Sequence, residues 1–271
     1  MTGGVIVGYD GSDRSRDALA FAEALAAAQD AQLIVACVHP YQPGSSAIGE
    51  AGFDREVRSG AQRTAESARE LLARGEEAEF CAALGVSPAV GLGSVARERD
   101  ADAIVVGSSS RGWLGQVLCG TVATQLVHDA PCAVGVAPVG YAKDHPPALS
   151  SVGAAFDGSP ASVRALHLAE RLAARFRGRL RVIAVDEGAR HGETLSSEVD
   201  EAVVAAPLNA RAVGVFRHGD PARELALASA DLDALLCGTH GYGRARRLVL
   251  GSVSTSLMRT ARCPILIVQR A

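Results

Sequence analysis

The stretch "DGSDRSRDALAFAEALAAA", residues 10–28, returns later in the chain as "DGSPASVRALHLAERLAAR", residues 157–175. Shifted by 147, the two copies share Asp-Gly-Ser, and Ala18/Ala165, Leu19/Leu166, Ala22/Ala169, Glu23/Glu170, Leu25/Leu172 and Ala26/Ala173 coincide; Val38 falls on Val185 without a gap. Further on the offset becomes 131, so the second copy is 16 residues shorter in its middle. There "IVVGSSSRGWLGQVLCGT", from Ile104, overlies "LLCGTHGYGRARRLVLGS", from Leu235. Gly107 meets Gly238, Gly112 meets Gly243, Gly120 meets Gly251 and Cys132 meets Cys263. A chain of 271 residues is long enough for two ordinary domains, and self-similarity over this length predicts two. The reading is one domain over residues 1–140, a linker over 141–149 marked by Pro146 and Pro147, and a second domain over 150–271.

Each copy alternates strand and helix. "GVIVGY", "QLIVACV", "DAIVVG" and "CAVGVAP" are continuous apolar runs, the pattern of strands buried on both faces. "EEAEFCAAL" holds a further strand. Helices are predicted after Ser12, from about Phe53 to Arg74, after Pro88 and from "GTVATQLVH". In the second copy Ser159-Pro160 form an N-cap and first-turn pair, and the helix near "LSSEVDEAVV" is expected to be short. Alternating β and α with apolar strands gives an α/β fold, with parallel sheets covered by helices on both faces. In such doubly wound sheets, ligands bind beyond the strand C-termini where strand order reverses.

Composition narrows the functions. Hydrophobic residues make up 48% and charged residues 21%, with both signs interspersed and a net charge of −3, which argues against nucleic acid or an anionic membrane as partner. No apolar run reaches the roughly 18 residues of a membrane span, and "MTGGVIVGYDGS" lacks the basic region of a signal peptide. The six cysteines form no CxxC pair and sit mostly in apolar runs, so reduced buried thiols in a cytoplasmic protein are expected. The histidines lack metal-ligand spacing. There is no G-x4-G-K-[ST], and Lys143 is the lone lysine. "GLGSVA" at Gly91 lies in a helix region rather than after the first strand, so it is no dinucleotide fingerprint.

The remaining signal is the glycine loop, Gly238-x2-Gly241-x9-Gly251-Ser252, which leaves an apolar strand and enters a helix. Glycine lets backbone amides approach an oxyanion, and a helix N-terminus adds partial positive charge. This loop resembles the G-2x-G-9x-G-(S/T) nucleotide motif of the universal stress protein family, with the Thr239-His240 that commonly precedes it. "VGYDGS", "AAFDGS", "HDAPCAVGV" and "TARCPILIV" are similar to the same family, so the likeness covers nearly the whole chain as a tandem pair. The resemblance implies two Rossmann-like doubly wound domains, each a five-stranded parallel sheet of order 3-2-1-4-5, whose fifth strands meet about a pseudo-twofold axis. It implies ATP as ligand, with or without Mg2+. Asp157 would lie at the adenine end, Val185 would offer backbone groups to the adenine edge, and Gly238, His240, Gly241, Gly243, Gly251 and Ser252 would surround ribose and phosphates. The first copy supplies Asp10, Val38, Gly107, Gly112, Gly120 and Thr121, but has Ser110 where the motif wants its second glycine.

Other readings of these residues stand beside this one. Asp10 and Asp157 also suit turns through "DGS". Arg111, Arg244, Arg246 and Arg247 are either phosphate contacts or plain solvated charges, and Cys119 either a thiol activated at a helix start or a buried one. No residue is assigned as a catalytic base, so the expected function is a nucleotide-responsive regulatory module with at most slow ATP hydrolysis. A protein partner is left unidentified and further homodimerisation open. The alternatives are an ATP-independent scaffold of the same fold, or an adenylating enzyme, for which two compact halves leave little room.

Overall fold

The computed structural model describes residues 3–40, 60, 63–72, 78–108, 121–144, 148–188, 192–206, 211–239 and 251–269. The first repeat contributes β1 (Val5–Gly8), α1 (Asp13–Gln29), β2 (Leu33–Pro40), a helical segment at 63–69, β3 (Glu79–Gly85), α2 (Pro88–Glu98), β4 (Ala103–Gly107), α3 (Thr121–Asp129) and β5 (Ala133–Ala137). A short helix α4 (Tyr141–Asp144) follows. The second repeat contributes β6 (Ser151–Ala155), α5 (Pro160–Arg175), β7 (Arg179–Asp186), α6 (Gly192–Ala205), β8 (Arg211–His218), α7 (Pro221–Ala228), β9 (Ala234–Gly238), α8 (Ser252–Thr260) and β10 (Ile265–Val268).

Local chemistry starts the helices as expected. Ser12, Ser87, Ser159 and Asp220 are extended N-caps whose side chains accept an amide of the first turn, and Pro88, Pro160 and Pro221 open their helices. The helix α6 runs from Gly192 to Ala205, while the bounds of its counterpart in the first repeat lie outside the described residues. Most of the lost residues fall between the second and third strands: Val38 pairs with Ala83, whereas Val185 pairs with Arg217.

The strands form one ten-stranded sheet of order β3-β2-β1-β4-β5-β10-β9-β6-β7-β8. Each half is the expected parallel 3-2-1-4-5, and β10 meets β5 antiparallel, with Ile265, Leu266 and Ile267 opposite Val136, Gly135 and Val134. Side chains alternate between two cores. Val5, Val7, Val35, Val105, Val152, Val182 and Leu236 face α1, α5 and α6; Ile6, Ile34, Ile104, Val134, Leu235 and Ile267 face α2, α3, α7 and α8.

Four polar side chains hold the connection and the seam, and one of them, Gln269, bonds from one half to the other. Asp17, on α1 and 4% exposed, accepts the amides of Gly140 and Ala142, both at 2.8 Å. Asp233 accepts those of Ser150 and Ser151 at 2.7 and 2.8 Å, so the connection between the repeats is gripped at both ends. Gln269, just after β10, donates its side-chain amide to the carbonyls of Leu126 and Val127 at the end of α3. Arg164 stands one repeat shift from Asp17 and donates to the Gln269 carbonyl at 3.4 Å. The same helix position thus grips the chain after the fifth strand in both halves, with opposite polarity.

A buried carboxylate that satisfies two part-buried amides is costly to remove. Asp17→Ala is expected to lower unfolding free energy by about 2–4 kcal/mol. Asp17→Asn keeps one acceptor and should lose less. Urea denaturation measures both, and faster hydrogen exchange at Gly140 and Ala142 in Asp17→Ala ties the loss to this contact.

Candidate functional site

Strand order reverses between β1 and β4 in the first half and between β6 and β9 in the second, and both pairs are directly hydrogen-bonded neighbours. The turns after β1 and β6 therefore stand beside the ends of β4 and β9, where a doubly wound sheet leaves its crevice. The two turns are built alike. The Asp10 Oδ1 accepts the Ser12 amide and the Asp157 Oδ1 that of Ser159, each at 3.0 Å. Gly11 at φ +83° and Gly158 at φ +75° occupy the left-handed region that favours glycine. Ser15 and Ser162 donate their hydroxyls to the Ser12 and Ser159 carbonyls at 2.9 Å. Both aspartates are thus turn-forming residues.

Partial burial pushes the Asp10 carboxyl upward in pKa, but hydrogen bonds from Ser12 and Ser15 outweigh it and the net shift is downward from 3.8. A carboxyl depressed in the folded state stabilises the fold above its unfolded pKa and loses that contribution as pH falls through its folded one.

Val38 and Val185 lie near the ends of β2 and β7 on the same face of the sheet. Val38 packs on α2, where a Cβ on Gly91 would lie 2.5 Å from its Cγ1, so Gly91 serves helix packing. Gly107 and Gly238 end β4 and β9. A Cβ on Gly107 would lie 2.3 Å from the Arg14 carbonyl oxygen, and one on Gly238 2.6 Å from the Ala161 Cβ. Arg14 and Ala161 are equivalent positions in the first turns of α1 and α5. Both glycines are therefore required by the close approach of a helix to the strand end.

The residues that flank the second loop are tied to each other. The Gly251 amide donates to the Thr239 carbonyl at 3.0 Å, and the buried Ser254 hydroxyl donates to the Gly238 carbonyl at 2.9 Å. Gly251 is the N-cap of α8, and a glycine cap offers no side-chain acceptor to the first amides of the helix, which begins at Ser252. In the first half Thr121 opens α3, and Ala123 stands where the second half has Ser254. His240, Gly241, Gly243, Ser110, Gly112 and Gly120 lie outside the described residues, as do Arg111, Trp113, Cys119, Arg244, Arg246 and Arg247.

The structure brings Asp10 with Gly107, and Asp157 with Gly238, Gly251 and Ser252, to the reversal points. Sequence reasoning missed Ser15, Ser162 and Ser254. The first two carried a signal, because "DGSxxS" repeats in both copies.

Comparison with known proteins follows the same division. The model of the universal stress protein family matches residues 1–138 and again 150–269. The chain belongs to the universal stress protein family. A universal stress protein of Mycobacterium tuberculosis is 29% identical over 300 residues, covering 99% of this chain and 97% of its own. One from Thermus aquaticus is 33% identical over 131 residues, which is 48% of this chain and 94% of that protein. The crystal structure of a universal stress protein from Archaeoglobus fulgidus superposes with a TM-score of 0.73 at 20% identity over all of both chains, a likeness of fold.

Among the described residues no helix is long and apolar enough to cross a membrane, and no cluster of three metal-ligating side chains occurs. Burial pushes the thiol of Cys37 up to about 11 and those of Cys132, Cys237 and Cys263 up to about 12. Thiolate is the reactive form, so these cysteines should resist alkylation at pH 8 in the native protein and react once it is unfolded; peptide mapping reads this directly.

The glycine assignment is testable without ligand. Gly107→Ala and Gly238→Ala are each expected to destabilise by about 1–3 kcal/mol, the cost of overpacking. Urea denaturation of nucleotide-free protein should show similar losses for both.

Proposed function

We propose that this tandem universal stress protein binds an adenine nucleotide, ATP foremost, in the crevice of its second half and uses it as a regulatory ligand. The observation that carries the reading is the arrangement at the end of β9: a loop clasped between Thr239 and Gly251, opening onto a helix whose cap has no side chain. Amides at such a helix start suit phosphate oxygens. Asp157 and Val185 would take the adenine end. His240, Gly241, Gly243, Gly251 and Ser252 would surround ribose and phosphates, and Gly238 sets the path of the chain into the loop. In the first half Asp10, Val38, Gly107, Ser110, Gly112, Gly120 and Thr121 take the same places, with Ser110 adding a Cβ where the motif has glycine. Mg2+ would accompany the phosphates rather than occupy a protein site of its own.

The mechanism is linkage. Nucleotide that binds only the folded, loop-closed form stabilises it, by about 2.7 kcal/mol at a hundredfold excess over Kd, and biases what that form binds. With Lys143 the lone lysine, there is none in the loop to neutralise a transferred phosphate, and hydrolysis would be slow at most. We assign residues 1–140 and 150–271 as two domains, and the cytoplasm as the setting.

A second reading is favoured by a specific observation. Asp10, Asp157, Gly107 and Gly238 all have structural work in the turns and helix contacts, so a scaffold of this fold would need them without any nucleotide.

The deciding experiment denatures the purified protein and counts the adenine nucleotide released. The first reading expects about one per chain, lost in Gly241→Val and retained in Ser110→Val. About two would place nucleotide in both halves. No nucleotide, together with no rise in Tm at saturating ATP, leaves the scaffold.

A further inference from the structure

The two ends of the sheet are not alike. β3 and β8 are equivalent strands at opposite ends, and each has one row of backbone groups with no further strand to pair with among the described residues. β8, "RAVGVFRH", carries Arg211, Arg217 and the exposed His218, the charged guarding that natural edge strands use. β3, "EFCAALG", has a single charge, Glu79, which is engaged by Arg99 at 2.5 Å. From Phe80 to Gly85 it is uncharged.

Apart from Val213 on β8, 55% exposed where β3 has Glu79, and Leu227 on α7, the surroundings repeat the contrast. Leu84 is 48% exposed and pairs with His39; the equivalent residue, paired with Asp186, is His218. Val90, in the first turn of α2, is 50% exposed, and the equivalent residue in α7 is Arg223. Val86, 66% exposed, sits between Gly85 and the Ser87 cap, where the second half has no residue between Gly219 and Asp220. The second half shows that this fold needs no apolar side chain at these places. Leu84 flanks the open edge on the α1 side of the sheet and Val90 on the α2 side.

We infer that two copies of this chain associate through their β3 edges, antiparallel about a twofold axis, so that the sheet continues from one subunit into the next. Three observations select a second copy as the occupant. Pairing centred on Ala82 sets Phe80 opposite Leu84 of the partner subunit and Cys81 opposite Ala83 of the partner subunit, so no like charges meet. The same sheet already crosses from one copy of the fold to another by antiparallel edge pairing at β5 and β10. The β8 edge, with its arginines, is unsuited to self-pairing, and a closed twofold contact at β3 leaves only these charged β8 edges at the two ends of the sheet.

Sedimentation of the full chain over about 1 to 100 µM tests this. A dimer is expected for the wild type, with Leu84→Arg and Ala82→Lys each raising its Kd at least about tenfold. Val213→Lys on the β8 edge should leave the dimer intact. Circular dichroism checks that the variants fold. Should they not fold, hydrogen exchange of wild-type amides over Cys81–Ala83, slowing as concentration rises, keeps the proposal testable. A wild type that stays monomeric throughout overturns it. So does assembly beyond a dimer, or loss of association in Val213→Lys, either of which would mean β3 pairing with β8. The outcome is independent of whether nucleotide binds.

Discussion

The antiparallel pairing of β5 with β10 is the contact on which the architecture depends. Each half alone would end its sheet on an apolar strand, "AVGVA" or "ILIV", with an open edge. Pairing the two satisfies both rows of backbone groups and makes both cores continuous across the seam. It also fixes what stands above it. Gly135 lies in the seam because a Cβ there would come within 3.0 Å of the Phe21 ring, and Phe21 in turn meets Tyr141 edge-to-face at 6.0 Å. The fifth strand, the first helix of the repeat and the start of the connection are thus packed as one layer.

Polar grips then hold the two ends of the connection. Asp17 holds one end and Asp233 the other, while Gln269 reaches from the second half to the last carbonyls of α3. Fixing these residues costs entropy, which the hydrogen bonds to the two carboxylates offset. The two halves are consequently joined both by one continuous sheet and by hydrogen bonds from Gln269 to the end of α3.

The strands and their order were legible because parallel strands buried on both faces are continuous apolar runs, and because the repeat could be read against itself. The functional loops were legible only as a pattern. Gly107 and Gly238 looked like phosphate-binding glycines, whereas their immediate constraint is a helix turn pressed against the strand end; a spacing motif does not distinguish a glycine that admits a ligand from one that admits a backbone. Asp17 was invisible for a related reason. An acid on an amphipathic helix reads as solvent-facing unless the partner amides, distant in sequence, are known. Ser15 and Ser162 were in view as a repeated "DGSxxS" and were passed over because serine inside a helix carries little propensity signal.

Near-identical turns with unlike surroundings make the chain its own control. Both halves keep Asp-Gly-Ser, the buried serine behind it and the glycine under the helix, because the fold requires them. They part company where it does not: Ser254 against Ala123 behind the loop, Arg223 against Val90 at the rim, His218 against Leu84 on the edge strand. Ser254 ties α8 to the Gly238 carbonyl and so fixes the helix start relative to β9, a tie that alanine cannot make in the first half. Positions where two copies of one fold share backbone register but differ in chemistry are positions where the shared fold does not dictate the side chain. The first half accordingly carries Leu84 and Val90 where the second carries His218 and Arg223, with no change of register along the edge strand.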